Sequence, residues 1–289
     1  MDINANFSLL SRLVMAGLFA TCVGVAHAAP PKEQKAIVQK AGSEAMQLQT
    51  VPVPAPAANQ VLIRVYAAAV NPTDWKNGAP SADVVPGADV AGVVAAVGEG
   101  VTGFKVDDPV WGIALRRGVV LNGGYAEYAI AAVANVAKKP ANITFAQAAS
   151  LGIATVTGVR VIGETQVAKG QRVLITGVAG GVGSAAAQTA KARGAVVVGT
   201  ASARHNEYLR SIGVDQVIDY TKGDFETQVG HVDVVIDTVG GDTATRHEDA
   251  AARRLVHQHG LARSRRAVRG RGTQVRALQQ RRRRPAPRL

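Results

Sequence analysis

Cysteine is almost missing from this chain of 289 residues, because Cys22 is its only thiol. That cysteine lies in an N-terminal apolar segment, so the rest of the chain has no thiol for a disulfide or for a thiolate ligand. Histidine is missing between residues 28 and 204. A tetrahedral zinc site of nitrogen and sulfur ligands therefore cannot be built in residues 35–155, and no metal is expected.

Membrane-spanning apolar runs are also missing, since the apolar stretch at residues 13–25 is too short to cross a bilayer comfortably. Arg12 precedes this stretch, and Ala26-His27-Ala28 follows it as a small-residue cleavage site. The pattern predicts a signal peptide at residues 1–28 and a linker at residues 29–34, hence a periplasmic or secreted protein. The alternatives are an ordinary buried helix and, if the extension is a mis-assigned start, a cytoplasmic protein.

Excess charge is confined to one segment. Residues 246–289 hold fourteen arginines, no lysine and two acidic residues, which accounts for the whole net charge of +12. An arginine tail could bind nucleic acid or other anions, but without interleaved aromatic residues such binding would be nonspecific, and nucleic acid is not expected as a partner. Arginine, alanine, proline and glycine without lysine favour a frameshifted or disordered end over an evolved basic tail.

The hydrophobic pattern changes its period in the middle of the chain. Short β-branched stretches broken by proline and glycine predict a β-rich first half, with strands at residues 36–38, 61–66, 84–97, 110–113 and 123–130. Residues 52–56, with three prolines, predict a loop. From residue 172 strands and helices alternate, with strands at residues 173–176, 196–199, 216–219 and 232–237. This rhythm predicts right-handed crossovers and a parallel sheet.

A glycine-rich turn follows the first strand of the second half. Gly177, Gly180 and Gly183 recur at every third residue, with Gly181 and Val182 between them, and a small-residue helix comes next. A backbone without side chains can approach a pyrophosphate closely, and the amides at a helix N-terminus favour an anion. One glycine triplet is weak evidence. With a strand before it and a helix after it, this one predicts a dinucleotide site.

The residues after the second strand of this half indicate which dinucleotide binds. A site for NAD usually has an acidic residue there for the ribose hydroxyls. In this chain no acidic residue occurs from Thr200 until Glu207. Ser202 and Arg204 could donate to a 2′-phosphate instead. The pattern favours NADP(H). The alternative for Arg204 is a solvated residue at a helix start.

Six segments, in order and at fitting separations, carry a family resemblance: Ala68-Ala-Val-Asn-Pro-Thr-Asp-Trp-Lys76, Pro86-Gly-Ala-Asp-Val-Ala-Gly-Val-Val94, Gly123-Gly-Tyr-Ala-Glu-Tyr128, the glycine turn, Val217-Ile-Asp-Tyr220 and Asp237-Thr-Val-Gly-Gly241. Over residues 35–243 the chain resembles the zinc-independent quinone-oxidoreductase (zeta-crystallin-like) branch of the medium-chain dehydrogenase/reductase superfamily. The resemblance implies an α/β and β fold: a GroES-like β-barrel domain at residues 35–155 and an incomplete Rossmann-type domain at residues 156–245.

The resemblance also implies a site in the cleft between these domains. Asn71, Asp74 and Lys76 would form a polar turn facing the nicotinamide, with Lys76 as a proton donor or carbonyl polariser. A surface pair of Asp74 with Lys76 is the equally open alternative. Thr157 would lie beside the nicotinamide or the diphosphate, and Tyr220 would flank the 2′-phosphate unless it is a core ring with a solvated hydroxyl. We expect Tyr125 and Tyr128 to be barrel core.

Zinc-dependent relatives place cysteine at the position of Asn71, and Gly-His-Glu at Gly87-Ala88-Asp89. The implied activity is therefore metal-free reduction of a quinone, enone or other activated alkene with NADPH. A homodimer is common in the intact family.

Two departures from the family pattern leave other functions open. Asp107-Asp108-Pro109 replaces a usual Gly-Asp-Arg turn, which Asp tolerates if it adopts a left-handed conformation. After Thr243 the expected fifth strand is not recognisable, so the sheet is expected to stop after its fourth strand at Asp237. The alternatives are therefore a catalytically impaired truncated relative and a nonspecific nucleic-acid- or anion-binding protein acting through the tail.

Overall fold

The computed structural model describes residues 29–76, 80–114, 122–240 and 255–257. The predicted signal peptide and most of the arginine-rich tail lie outside the described residues. Within the described part of the chain, no helix is both long enough and apolar enough to cross a membrane.

The described chain begins with an antiparallel pair of strands, β1 (Glu33–Gln39) and β2 (Met46–Pro52). The strand predicted at residues 36–38 lies inside β1. The prediction of a loop from residue 52 is wrong at its first residue. Pro52 ends β2 opposite Glu33, at a strand end where proline, which has no amide to donate, is tolerated.

A five-stranded antiparallel sheet forms the first domain. Its strands are β3 (Gln60–Ala68), β4 (Asp89–Val97), β5 (Pro109–Ile113), β6 (Tyr128–Ala132) and β7 (Val136–Lys138), in the spatial order β6-β3-β4-β5-β7. A buried aliphatic cluster fills its concave side: Val61, Ile63, Val90, Val94, Val110, Ala129 and Ala131.

Strand β4 is continuous, although the sequence predicted short strands broken by glycine. Gly92 remains within the strand because a Cβ there would collide with the carbonyl oxygen of Arg64 on β3. Glycine therefore permits a close approach of two strands here, and it does not end one.

Short helices accompany this sheet. Helix α1 (Thr73–Lys76) follows β3, and α2 (Phe145–Ala149) follows β7. A capping box between Thr144 and Gln147 fixes the start of α2. A π-helical turn at residues 151–155 then leads directly into α3 (Val156–Glu164), which starts the second domain.

The second domain is a parallel sheet with helices. Strands β8 (Arg172–Thr176), β9 (Val196–Ala201), β10 (Gln216–Asp219) and β11 (Val234–Asp237) alternate with α4 (Gly181–Ala192), α5 (Asn206–Ser211) and α6 (Glu226–Val229). All four strands were predicted, because continuous aliphatic runs identify buried parallel strands. The core between α4 and the sheet contains Val173, Ile175, Ala186, Ala190, Val197, Val234 and Ile236.

The expectation that the parallel sheet stops at Asp237 is wrong. A fifth strand, β12 (Leu255–His257), pairs in parallel with β11 and completes the order β10-β9-β8-β11-β12. Three residues inside an arginine-rich segment give no recognisable strand pattern, so β12 could not be predicted from the sequence. The expected order, a β-rich antiparallel domain followed by a parallel α/β domain, is confirmed.

Candidate functional site

The polar turn after β3 is stabilised by hydrogen bonds between two of its own residues, Asn71 and Asp74. Asn71 is buried, with 6% of its surface exposed. Its backbone amide donates a 2.7 Å hydrogen bond to Oδ2 of Asp74, and the amide of Asp74 donates back to the carbonyl of Asn71. This reciprocal pairing begins the four-residue helix α1.

Tyr125 is part of this site, although the sequence predicted only a core ring. Its phenol donates a 2.6 Å hydrogen bond to Oδ2 of Asp74. Burial and the neighbouring Asp74 carboxylate raise the pKa of Tyr125 well above its usual value, so the phenol stays protonated as a donor. Gly87, at φ +91°, leaves room for the ring, because a Cβ there would overlap it. The sequence did not indicate that Tyr125 pairs with Asp74, because the two residues are 51 positions apart.

Asp89 is the most deeply buried member of the site, with 1% of its surface exposed. Its Oδ2 accepts a 2.9 Å bond from Nδ2 of Asn71, and its Oδ1 accepts a 2.9 Å bond from the amide of Ile153. Burial raises the pKa of Asp89 above its ordinary value, against the opposing effect of these two hydrogen bonds. Tyr125, Asp74, Asn71 and Asp89 thus form one connected set, which we call the polar network.

The remaining side chains of α1 point outward. Lys76 is exposed at the end of the helix, and Trp75 exposes half of its surface. Asp74 is engaged by Tyr125 and Asn71, and among the described residues the ion pairs include none between Asp74 and Lys76. The structure therefore places Asn71 and Asp74 together and leaves Lys76 on the surface beside them.

The glycine-rich turn has the backbone geometry predicted for it. Gly177, at φ +61°, ends β8, and Gly180 is the N-cap of the twelve-residue helix α4. A Cβ on Gly183 would lie 2.5 Å from the carbonyl oxygen of Gly177, so the first helical turn can pack on the loop only without a side chain. No side chain caps α4 within the described residues, which leaves the first amides, those of Gly181 and Val182 included, directed outward at the positive end of the helix.

Two strand ends support this turn in a way that the sequence did not reveal. The hydroxyl of Thr176 on β8 donates to Oδ1 of the buried Asp237 on β11. The hydroxyl of Thr238 donates a 2.7 Å bond to the carbonyl of Thr176 and lies close to where a Cβ of Gly177 would be. The partners are about sixty residues apart, and only the parallel pairing of β8 with β11 brings them together.

The glycine turn also contacts the segment that leaves the barrel. A Cβ on Gly181 would lie 2.9 Å from Cβ of Ala154, and a Cβ on Gly158 would lie 2.7 Å from the carbonyl oxygen of Val182. Thr157 is half-buried and precedes Gly158 on α3. Its place beside the cofactor stays a prediction.

The predicted phosphate-binding residues lie at the ends of β9 and β10. Ser202 precedes a short 3₁₀ turn, and Nε of Arg204 lies 3.1 Å from Nε2 of His205. Tyr220 follows β10 and exposes 55% of its surface, which excludes a core ring.

An acid that the sequence analysis did not consider lies at the same strand ends. The carboxylate of Asp219 accepts hydrogen bonds from the hydroxyl and the amide of Thr221 and from the amide of Ala203, and these bonds hold its pKa below the ordinary value. Asp219 ends β10, which pairs in parallel with β9, so the neighbouring strand supplies a carboxylate that the residues after β9 lack.

Two family models match the chain across these structural elements. The alcohol dehydrogenase GroES-like domain matches residues 57–141, and the zinc-binding dehydrogenase domain matches residues 181–254, which extends past residue 243, where the resemblance in the sequence ends. A solved quinone oxidoreductase from Coxiella burnetii superposes with a TM-score of 0.71 at 35% identity, over 78% of this chain and 75% of that one. The chain belongs to the quinone oxidoreductase family of the medium-chain dehydrogenases/reductases.

Curated relatives carry reductase names. A 2-methylene-furan-3-one reductase from Solanum lycopersicum is 41% identical over 68% of this chain and 54% of its own length. A chloroplastic NADPH-dependent alkenal/one oxidoreductase from Arabidopsis thaliana is 40% identical over 74% of this chain and 60% of its own length. The chain thus spans a little over half the length of these relatives.

The name of the second family model refers to zinc, which makes the donor set relevant. Across the described residues, no group of three or more histidine, cysteine, aspartate or glutamate side chains is placed to hold a metal ion. Asn71 and Asp89 instead use their polar atoms on each other and on the amide of Ile153.

Proposed function

We propose that this chain binds NADP(H) and reduces an apolar quinone, enone or alkenal without a catalytic metal. The observation that carries the proposal is the uncapped start of α4 behind Gly177 and Gly180, in contact through Gly181 with the segment that leads to the polar network. The contact between Gly181 and Ala154 thus joins the proposed diphosphate site to the segment that carries Ile153, a partner of the polar network.

The residues present fit a dinucleotide. Outward amides at the start of α4 suit the diphosphate, and glycine at 177, 180 and 183 allows the backbone to approach it. Ser202, Arg204 and Tyr220 offer a hydroxyl, a guanidinium and a phenol for a 2′-phosphate. The Asp219 carboxylate opposes this preference, so we expect discrimination against NADH to be moderate.

Apolar side chains beside the polar turn support the substrate class. Val70, which precedes Asn71, exposes 69% of its surface, and Trp75 on α1 exposes 51%. Exposed large side chains at the rim of a polar site suit a flat, apolar acceptor. The names of the relatives, quinone oxidoreductase and alkenal/one oxidoreductase, point to the same class of acceptor.

Bound NADPH would supply the hydride, and the protein would orient the reactants and manage one proton. The hydrogen bond from the backbone amide of Asn71 to Asp74 stabilises the turn, and the hydrogen bond from the Tyr125 phenol keeps Asp74 in place. Lys76, exposed at the end of α1, is the proposed proton donor to the reduced acceptor. Metal-free chemistry is proposed because Asn71, Ala88 and Asp89 stand where zinc relatives have cysteine, histidine and glutamate.

The test is turnover by the purified chain. NADPH oxidation is measured with a quinone and with an enone, against NADH and with or without a chelator. We expect oxidation with NADPH in preference to NADH and no loss on chelation. Preference for NADH overturns the cofactor assignment, loss on chelation overturns the metal-free chemistry, and binding without turnover supports the impaired relative.

Export through residues 1–28 remains a proposal of its own. Cell fractionation, with the mass of the mature N-terminus, tests it. Cleavage after Ala28 is the expected result, and an uncleaved cytoplasmic chain contradicts it.

A further inference from the structure

We propose that Asp89 is a positioning residue that determines which end of the Asn71 amide is offered to the cofactor and acceptor. The inference rests on the proposed reductase function and assigns a role within that site. It is carried by two hydrogen bonds to one buried carboxylate, 2.9 Å from Nδ2 of Asn71 and 2.9 Å from the amide of Ile153.

The polarity of the contact fixes the Asn71 amide. An ionised carboxylate can only accept hydrogen bonds, so it takes the NH₂ end of Asn71, as the 2.9 Å contact of Nδ2 with Oδ2 of Asp89 shows. The planar amide then carries its oxygen on the opposite side. Position 71 therefore offers an acceptor to whatever binds beside the turn. An acceptor oxygen suits the NH₂ of a carboxamide, such as that of nicotinamide, and repels the carbonyl oxygen of the acceptor.

The same carboxylate joins the turn to the cofactor side. Ile153 lies in the π-helical turn, and a Cβ on the preceding Gly152 would overlap the carboxylate of Asp89. The next residue, Ala154, packs against the position of a Cβ on Gly181 in the glycine turn. Asp89 thus sets the amide of Asn71 relative to the diphosphate-binding backbone, and it does so without touching either reactant.

Substitution Asp89→Asn reverses the polarity while keeping the shape. The oxygen of the new amide can still accept from Ile153, but its NH₂ then faces Asn71, whose amide must rotate to present oxygen. We expect retained NADPH affinity, within about threefold, and a kcat lowered by about tenfold or more, because misorientation lowers the rate more than it lowers binding. Asp108→Asn is the matched control, since Asp108 is a buried carboxylate of the same domain with other partners. It accepts a hydrogen bond from the backbone amide of Lys105 and forms an ion pair with Lys138.

A double-mutant cycle separates positioning from general stability. If Asp89 acts through Asn71, adding Asp89→Asn to Asn71→Ala should lower kcat no further, within about twofold. Additive losses, an unchanged kcat in Asp89→Asn, or an equal loss in Asp108→Asn would each overturn the proposal.

The orientation can also be read without turnover. In chain labelled with ¹⁵N-asparagine, the Asn71 Hδ2 protons should show nuclear Overhauser contacts to the Asp89 β-protons, and Asp89→Asn should abolish them. If the chain reduces neither acceptor, the proposed function fails while this measurement still decides the orientation. Absence of these contacts in the wild type, or their survival in Asp89→Asn, contradicts the inference. The wild-type spectrum alone decides if Asp89→Asn does not fold.

Discussion

The phenol of Tyr125 and the backbone amide of Asn71 both donate to one oxygen, Oδ2 of Asp74, at 2.6 Å and 2.7 Å. Asp74 therefore acts as the link between the Gly-Gly-Tyr segment and the polar turn. The short helix α1 has no buried residue of its own, so these two bonds anchor it.

Removing the phenol should loosen this anchor. We expect Tyr125→Phe to lower the free energy of unfolding by about 1 kcal/mol, the usual net value of one hydrogen bond, and more if Asp74 is left unsatisfied. Urea unfolding measures the change. Tyr128→Phe is the control from the same segment, because among the described contacts Tyr128 uses its backbone amide, which binds Gln34. Equal losses in both variants would contradict the role of the phenol.

Filling the glycine turn should remove cofactor binding. In Gly183→Ala the new methyl group would lie 2.5 Å from the carbonyl oxygen of Gly177, so the helix must move away from the loop. The expected cost is about 1–3 kcal/mol of stability, together with loss of NADPH binding in a fluorescence titration. Gly103→Ala meets nothing within 4 Å and should change neither quantity. Normal affinity in Gly183→Ala would remove the turn from the proposed site.

Charge at the end of β9 should set the choice of nucleotide. Arg204→Glu is expected to raise the KM for NADPH with little change for NADH, because a carboxylate would repel the 2′-phosphate. Asp219→Asn should act in the opposite direction and lower the KM for NADPH. Arg210→Glu, also exposed and on the adjoining helix α5, controls for the general change in charge. Equal effects of the two arginine substitutions would argue against a specific phosphate contact.

Asp89 and Asp108 should give opposite dependences of stability on pH. The pKa of Asp89 is raised by burial, so its contribution to the free energy of unfolding is lost as the pH rises through that raised pKa. The pKa of Asp108 is lowered by the Lys105 amide and then by Lys138, so its contribution is present above the ordinary carboxyl value and is lost as the pH falls.

Urea unfolding of wild type, Asp89→Asn and Asp108→Asn between about pH 3 and pH 8 measures both contributions. The stability advantage of wild type over Asp89→Asn should shrink with rising pH, and its advantage over Asp108→Asn should shrink with falling pH. Parallel curves would show that these two carboxyls do not differ.

The Asp107 turn should tolerate its missing glycine. Asp107 adopts φ +69°, the left-handed conformation that aspartate was expected to accept, and its amide bonds to the carbonyl of Val94. Asp107→Gly should therefore stabilise the protein by about 0.5–1 kcal/mol, measured by urea unfolding, because glycine enters this region without a Cβ penalty. The reverse test is Gly100→Ala at φ +76°, where a Cβ meets only Asn59 Oδ1 at 3.5 Å and a loss is expected. A destabilised Asp107→Gly would show that the Asp107 side chain matters more than its backbone.

Local pattern was enough to predict the parallel strands and the glycine turn, since aliphatic runs and glycine spacing are properties of adjacent residues. The polar network was only partly predictable. Asn71 and Asp74 share a turn, but Tyr125 reaches Asp74 from 51 residues away, and the amide of Ile153 reaches Asp89 from 64 residues away. Strand β12 was missed for the same reason, because its pairing with β11, and not its own composition, defines it.

The sequence distances within the polar network also have a kinetic meaning. We expect contacts that close over 51 and 64 residues to form late in folding, because the entropy of closing such loops must be lost before the contact stabilises the chain. Bonds that form after the folding barrier slow unfolding and leave the folding rate nearly unchanged. The residues that organise the site would then also determine how long the folded chain persists before it opens.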